Sequence, residues 1–134
     1  MSERRESGAA AGAGAGQGQG SWTALAIVEK YEQFIDYFYP VLQNAPRRHG
    51  VARDMALKTM FDQVELLVTA GKSRQASRLY LADANLSALR FWLRFMAHPT
   101  RKIITPNQHR VALTKLAEVG KMLGAWIKSM KSGG

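Results

Sequence analysis

Between Leu79 and Met96 the chain repeats an apolar residue at steps of 3, 4, 3, 4 and 3, through Leu79, Ala82, Leu86, Leu89, Leu93 and Met96. Alternating steps of three and four are the period of a helix and not of a strand, so these side chains fall on one stripe that needs an apolar face opposite it. The pattern predicts a helix over about Ser73 to Ala97. Phe91, Trp92 and Phe95 fall off the stripe, so the segment carries more apolar surface than a single neighbour would bury. Arg90 and Arg94 stand four apart, in line with Asp83 and Ser87, and form a narrow polar edge. Two readings of them stay open. Their stems pack over apolar neighbours while the heads reach water or a carboxylate, or the heads are aimed at a partner or at phosphates.

Three more segments share the period. From Ser21, an N-cap candidate, Ile27, Val28, Tyr31, Phe34, Ile35, Phe38 and Leu42 mark a first helix, with Pro40 expected to kink or end its last turn. Leu57, Met60, Phe61, Val64, Leu67 and Val68 mark a second, which starts near Pro46 or after Gly50 and stops at Gly71. Thr105-Pro106-Asn107-Gln108 is a capping box with proline at the first helical position, and Leu113, Leu116, Gly120, Leu123, Ile127 and Met130 carry the helix it opens. Four helices, each about 30 Å long at ~1.5 Å per residue and joined by short links, predict an all-α, antiparallel up-and-down four-helix bundle. The bundle is expected over residues 21–131. Residues 7–20 interleave glycine with small and polar residues and offer nothing large to bury, so residues 1–20 are expected to be a flexible tail.

The net charge of +9 is unevenly placed. Residues 1–20 are neutral, residues 21–42 sum to −2, and residues 43–134 carry 16 Lys and Arg against 5 Asp and Glu. Such a surplus favours a polyanionic partner, against the plainer reading that the charge only keeps the protein soluble. The cations cluster at the predicted connections: Arg47 and Arg48 beside His49, Lys72, Arg74 and Arg78 around the start of the third helix, and Arg101 and Lys102 after His98-Pro99-Thr100. Lys121 and Lys128 line up seven apart on the last helix. Positive charge stacked on a helix N-terminus opposes the helix dipole, and a nucleic-acid phosphate would answer it as well as solvent does. Gly71-Lys72-Ser73 is not a phosphate loop, because Leu66 stands where the first glycine of that motif belongs and no strand precedes it.

Catalytic chemistry is poorly supported. The chain has no cysteine, which removes disulfides, thiolate nucleophiles and sulfur-ligated zinc. His49, His98 and His109 sit near predicted helix ends, no Glu-x-x-His pair occurs, and no hydrolytic triad can be assembled, so neither an enzyme nor a cofactor is expected. Glu65, Asp83 and Glu118 read instead as partners for basic residues, within or between subunits. No apolar run approaches the ~18 residues that span a bilayer, and a cytoplasmic protein that does not bind membranes is expected.

Several runs carry a family resemblance. Ile27-Val28-Glu29-Lys30-Tyr31-Glu32, Pro46-Arg47-Arg48-His49-Gly50-Val51-Ala52-Arg53, Gln63-Val64-Glu65-Leu66, Ala70-Gly71-Lys72-Ser73, Leu89 through Phe95, Ala117-Glu118-Val119-Gly120 and Gly124-Ala125-Trp126-Ile127 resemble the accessory variability determinant proteins of diversity-generating retroelements, over roughly residues 21–130. More loosely, the chain is similar to the four-helix proteins encoded in intervening sequences of ribosomal RNA genes. The first resemblance implies a four-helix subunit that assembles into a homopentameric barrel. It also implies binding to the element's reverse transcriptase, template RNA and cDNA, and support for adenine-specific, error-prone copying without chemistry of its own. On this chain it implies Arg90 and Arg94 for the polymerase, with Arg47, Arg48, Lys72, Arg74, Arg78, Arg101, Lys102, Lys121 and Lys128 as nucleic-acid candidates. The alternative is a structural homo-oligomer of the intervening-sequence type that binds nucleic acid only non-specifically. The glycine-alanine tail has no counterpart in the resemblance.

Overall fold

The stripes of the sequence become four helices whose order round the bundle follows from which side chains meet. A computed structural model describes residues 15–133, with side chains described over 20–131. Helix α1 runs over Ala15–Gln43, α2 over Gly50–Ser73, α3 over Ala76–Ala97 and α4 over Pro106–Gly133, and a single 3-10 turn, Arg47–His49, leads into α2. No strand occurs among the described residues. Gly20 lies against Gly71 and Tyr31 against Met60, so α1 and α2 are antiparallel. Gln63 reaches Ala82 and Asn85 reaches Thr59, so α2 and α3 are too. Each helix packs on its chain neighbours, α4 closes against α1, and the Cα atoms of the diagonal pairs stay more than 8 Å apart, with the core side chains between them.

All six residues of the α3 stripe are buried, from Leu79 to Met96. In the same core, Tyr31, Phe34 and Phe38 on α1 stack as a column with ring centroids 5.6 and 5.3 Å apart. Burying a phenol leaves its hydroxyl in need of a partner. Tyr31 finds one by donating to the Met60 carbonyl at 2.5 Å, and burial pushes its pKa upward. Gln63 is fully buried between α2 and α3. Its amide donates to the Ala82 carbonyl at 3.0 Å, and its oxygen accepts from Asn85 Nδ2 at 2.7 Å, which also donates to the Thr59 carbonyl at 3.0 Å. The satisfied network avoids the cost of a buried unpaired amide and ties the α2/α3 register to these residues.

Several boundaries differ from the sequence expectation. Helix α1 begins at Ala15, six residues before Ser21, and Gly20 within it packs directly on α2. The rest of the expected tail, residues 1–14, lies outside the described residues. Pro40 is inside α1, which continues to Gln43. The bond it deletes is that of the exposed Asp36 carbonyl, where water can substitute. Gly71 does not stop α2. It is buried at the α1/α2 crossing, where a Cβ would sit 2.6 Å from that of Ala24 and 3.1 Å from the Gly20 carbonyl oxygen. The stop comes at Arg74, in the left-handed region at φ 59°, and α3 starts at Ala76 rather than Ser73. On α2 the core positions include Ala56, Gln63 and Ala70, while Phe61 and Val68 are exposed. On α4 the buried line is Ala112, Leu116, Val119, Leu123 and Trp126, with Leu113, Gly120, Ile127 and Met130 only partly covered.

Candidate functional site

Antiparallel packing brings the α1–α2 and α3–α4 connections to the same end of the bundle. The first is held by Asn44 donating to the Val41 carbonyl at 3.2 Å and His49 donating to that of Pro46 at 2.9 Å, with Ala45 buried as its anchor. Arg47 and Arg48 project from this turn, exposed. The second is a tight backbone knot. The Ile103 and Ile104 amides both donate to the Met96 carbonyl, at 2.8 and 3.1 Å, and Ile104 is buried beneath. Lys102 takes a left-handed conformation at φ 50°, donates its N–H to the His98 carbonyl at 2.8 Å, and leaves its ammonium exposed. Arg101 braces the connection itself, since its Nε donates to the Phe95 carbonyl at 2.7 Å and its guanidinium stacks 3.8 Å above the Phe95 ring. The Thr105 and Gln108 side chains cap each other's backbone amides at 3.0 Å, as the capping box predicts.

The charge is polarised along the bundle. Residues 37–53 and 84–117 contain no Asp or Glu and carry nine Lys and Arg, whereas the remaining residues of 15–133 carry eight of each sign. The whole excess therefore belongs to the two connections and the helix halves that flank them. Arg53 is answered by Asp54 at 3.1 Å; Arg47, Arg48, Arg94, Lys102 and Arg110 meet no carboxylate among the described residues. The other ion pair among those residues is Lys58–Asp62 at 2.7 Å, so Glu65, Asp83 and Glu118 do not take up the role of internal partners there. Cations gathered without counter-charges raise the potential at that end and attract polyanions over roughly a Debye length, ~8 Å at physiological salt.

The expected nucleic-acid residues divide between the two ends. Arg47, Arg48, Arg101 and Lys102 share one end of the bundle with Arg94, His109 and Arg110. Lys72, Arg74 and Arg78 lie at the opposite end, about 33 Å away along α3 at ~1.5 Å per residue. Lys72 belongs to the last turn of α2, where the dipole favours a cation, and Arg74 is the α2 cap, so the crowding expected at the start of the third helix reduces to Arg78. Lys128 is also at that far end, beside Lys131 on an open depression of about 360 Å³. Lys121 is exposed midway along α4.

Arg90 and Arg94 look across to α4. Arg90 is partly buried and its Nη2 lies over the backbone of Gly120, so close that a Cβ there would sit 2.7 Å away. Arg94 is exposed one turn nearer the basic end. His109, partly buried with its Nε2 unpartnered, has its pKa lowered by burial first and then by the charge of Arg94. Arg53, Arg94, Arg110 and His109 belong to the basic end, and Arg53 and Arg110 were not among the nucleic-acid candidates. The signal that finds them is the pair of acid-free intervals, from Asp36 to Asp54 and from Asp83 to Glu118, combined with the antiparallel fold.

Among the described residues no group of three or more His, Asp or Glu could hold a metal ion, and no helix is long and apolar enough to cross a membrane. Beside the basic end, Phe91, Trp92 and Phe95 form an aromatic cluster with centroids 5.2 to 6.1 Å apart, and Phe91 is 47% exposed. Comparison with curated proteins returns no match. The family described as bAvd-like matches residues 25–130, a span that takes in all of α2 and α3, most of α1 and α4, and both basic connections. That match places the chain in the bAvd-like family, the accessory variability determinant proteins, and the four-helix architecture is consistent with it.

Proposed function

We propose that this protein is a non-catalytic accessory subunit of a diversity-generating retroelement, which holds the element's reverse transcriptase and its template RNA or cDNA together during adenine-specific mutagenic copying. The observation that carries the reading is the polarised charge: nine cations and no acid in the segments that build one end of the bundle. A phosphate backbone is the natural complement of such an end, and binding would release its condensed counterions. Arg47, Arg48, Lys102 and Arg110 are the exposed residues that meet it. Arg90 and Arg94, with forked donors and no internal carboxylate, contact the polymerase.

Self-association into a ring of five subunits belongs to the same proposal. It is supported by membership of the family and by apolar surface left uncovered on the single chain, with Leu81 51% and Tyr80 and Phe91 each 47% exposed on α3. Surface of this kind on a helix whose core stripe is already buried marks an interaction face.

The test is capture of the reverse transcriptase by the full-length chain, with Arg90→Ala/Arg94→Ala as the comparison. The pair sits on the surface side of a buried stripe, so the double variant is expected to retain its melting curve and oligomeric mass while losing the polymerase. A double variant that captures the polymerase like wild type would overturn the assignment.

A further inference from the structure

Gly120 stands in the middle of α4, where glycine is the poorest helix former after proline and alanine would serve the helix better. Its conformation does not require it, since no glycine among the described residues has a positive φ. Nor does backbone packing. At Gly71 a Cβ would strike the Cβ of Ala24 and approach the Gly20 carbonyl, and at Gly124 it would meet nothing within 4 Å. At Gly120 the atom in the way is the tip of one side chain: Arg90 Nη2 at 2.7 Å, with Cζ at 4.0 Å and a Leu86 methyl at an ordinary 3.8 Å. A guanidinium on a flexible stem moves aside at little cost to the fold.

We infer that Gly120 is a positioning residue, a notch in α4 that seats the Arg90 guanidinium. With the head drawn against the α4 backbone, the long side chain loses much of its freedom before any partner arrives, so less is lost on binding. The seat also spaces Arg90 from Arg94, which stands free one turn on. Any side chain at position 120 pushes the head outward and changes the direction in which its donors point. Bidentate recognition of an anionic group tolerates such a change poorly. The inference rests on the assignment of Arg90 to the polymerase contact.

The experiment uses the full-length chain as wild type, Gly120→Ala, Arg90→Ala and the double variant. Thermal melts, capture of the reverse transcriptase and the Nε–H resonance of Arg90 are the readouts. Gly120→Ala is expected to melt no lower than wild type, to shift the Arg90 resonance, and to weaken polymerase binding about 10-fold, the scale of one misplaced charge-assisted bond. The double variant is expected to bind no worse than Arg90→Ala alone. An unmoved Arg90 resonance, a lower melt, or a double variant weaker than Arg90→Ala would each overturn the seat. An Arg90→Ala variant that binds like wild type while Gly120→Ala shifts the resonance would overturn the polymerase assignment and leave the seat standing.

Discussion

Replacing Arg47, Arg48, Lys102 and Arg110 with glutamine removes four exposed cations from the end of the bundle where the two connections meet. Replacing Lys72, Arg74, Arg78 and Lys128 removes four exposed cations from the other end. The two variants have the same net charge, so a difference between them reports position alone. Each phosphate neutralised on a single strand contributes about 0.7 to the slope of log affinity against log salt, so losing four contacts flattens that slope by about 2.8. Over a rise from about 50 to 200 mM salt, wild type should then lose roughly 50-fold more affinity than the first variant loses. The second variant should keep a slope within about 1 of wild type. Fluorescence anisotropy of a labelled template RNA strand, titrated at several salt concentrations, measures all three slopes. Equal flattening in both variants, or a larger effect at the Lys72 end, would refute the argument from polarised charge.

Three predictions concern the fold that presents this end. Gly71→Ala forces a methyl into the contact with Ala24 and the Gly20 carbonyl; overpacking of about 1–3 kcal/mol outweighs a helix-propensity gain of up to ~1 kcal/mol, and the melting temperature should fall, against the rise an uncrowded glycine would give. Tyr31→Phe deletes the buried bond to the Met60 carbonyl and should cost about 1 kcal/mol in a urea titration, with no change arguing that the bond contributes nothing net. His109 is a base whose folded pKa is lowered, so the unfolded chain binds more protons below the ordinary value near 6.5. The contribution of neutral His109 is present above that pH and lost as pH falls toward the folded pKa. Wild type should therefore lose more stability than His109→Gln between about pH 7 and 5, and parallel losses would remove His109 as the cause.

How far the sequence revealed all this depended on whether one stripe or two competed. On α3 the line from Leu79 to Met96 is the only one at helical spacing that reads as core, and every member is buried. On α4 two lines share Leu116 and Leu123. The one with more leucine and isoleucine is the stronger reading from spacing, but the packed one uses Ala112, Val119 and Trp126. Periodicity cannot choose between them, because the choice depends on the rotation of α4 against α1 and α3. Gly71 reads as a stop because a glycine's reason to be small is 51 residues away in sequence, at Gly20. The excess charge is evident from composition, and its polarity is not, since Arg47 and Lys102 come to the same end only when the helices are laid antiparallel. The cations at the start of the third helix look like one cluster for a similar reason: a turn at Arg74 separates Lys72 from α3. The seat of Arg90 requires side-chain positions, although an isolated Gly120 inside a strong helical pattern already marks a position where something other than helix stability is being served.

As proposed, the chain joins a polymerase to its template without chemistry of its own. Mixing the purified protein with the element's reverse transcriptase and template RNA, then weighing the species by size-exclusion chromatography with light scattering, tests it most directly. A single assembly containing all three components, lost when Arg90 and Arg94 are both alanine, is the predicted result. Polymerase and RNA eluting together while this protein elutes alone would contradict it.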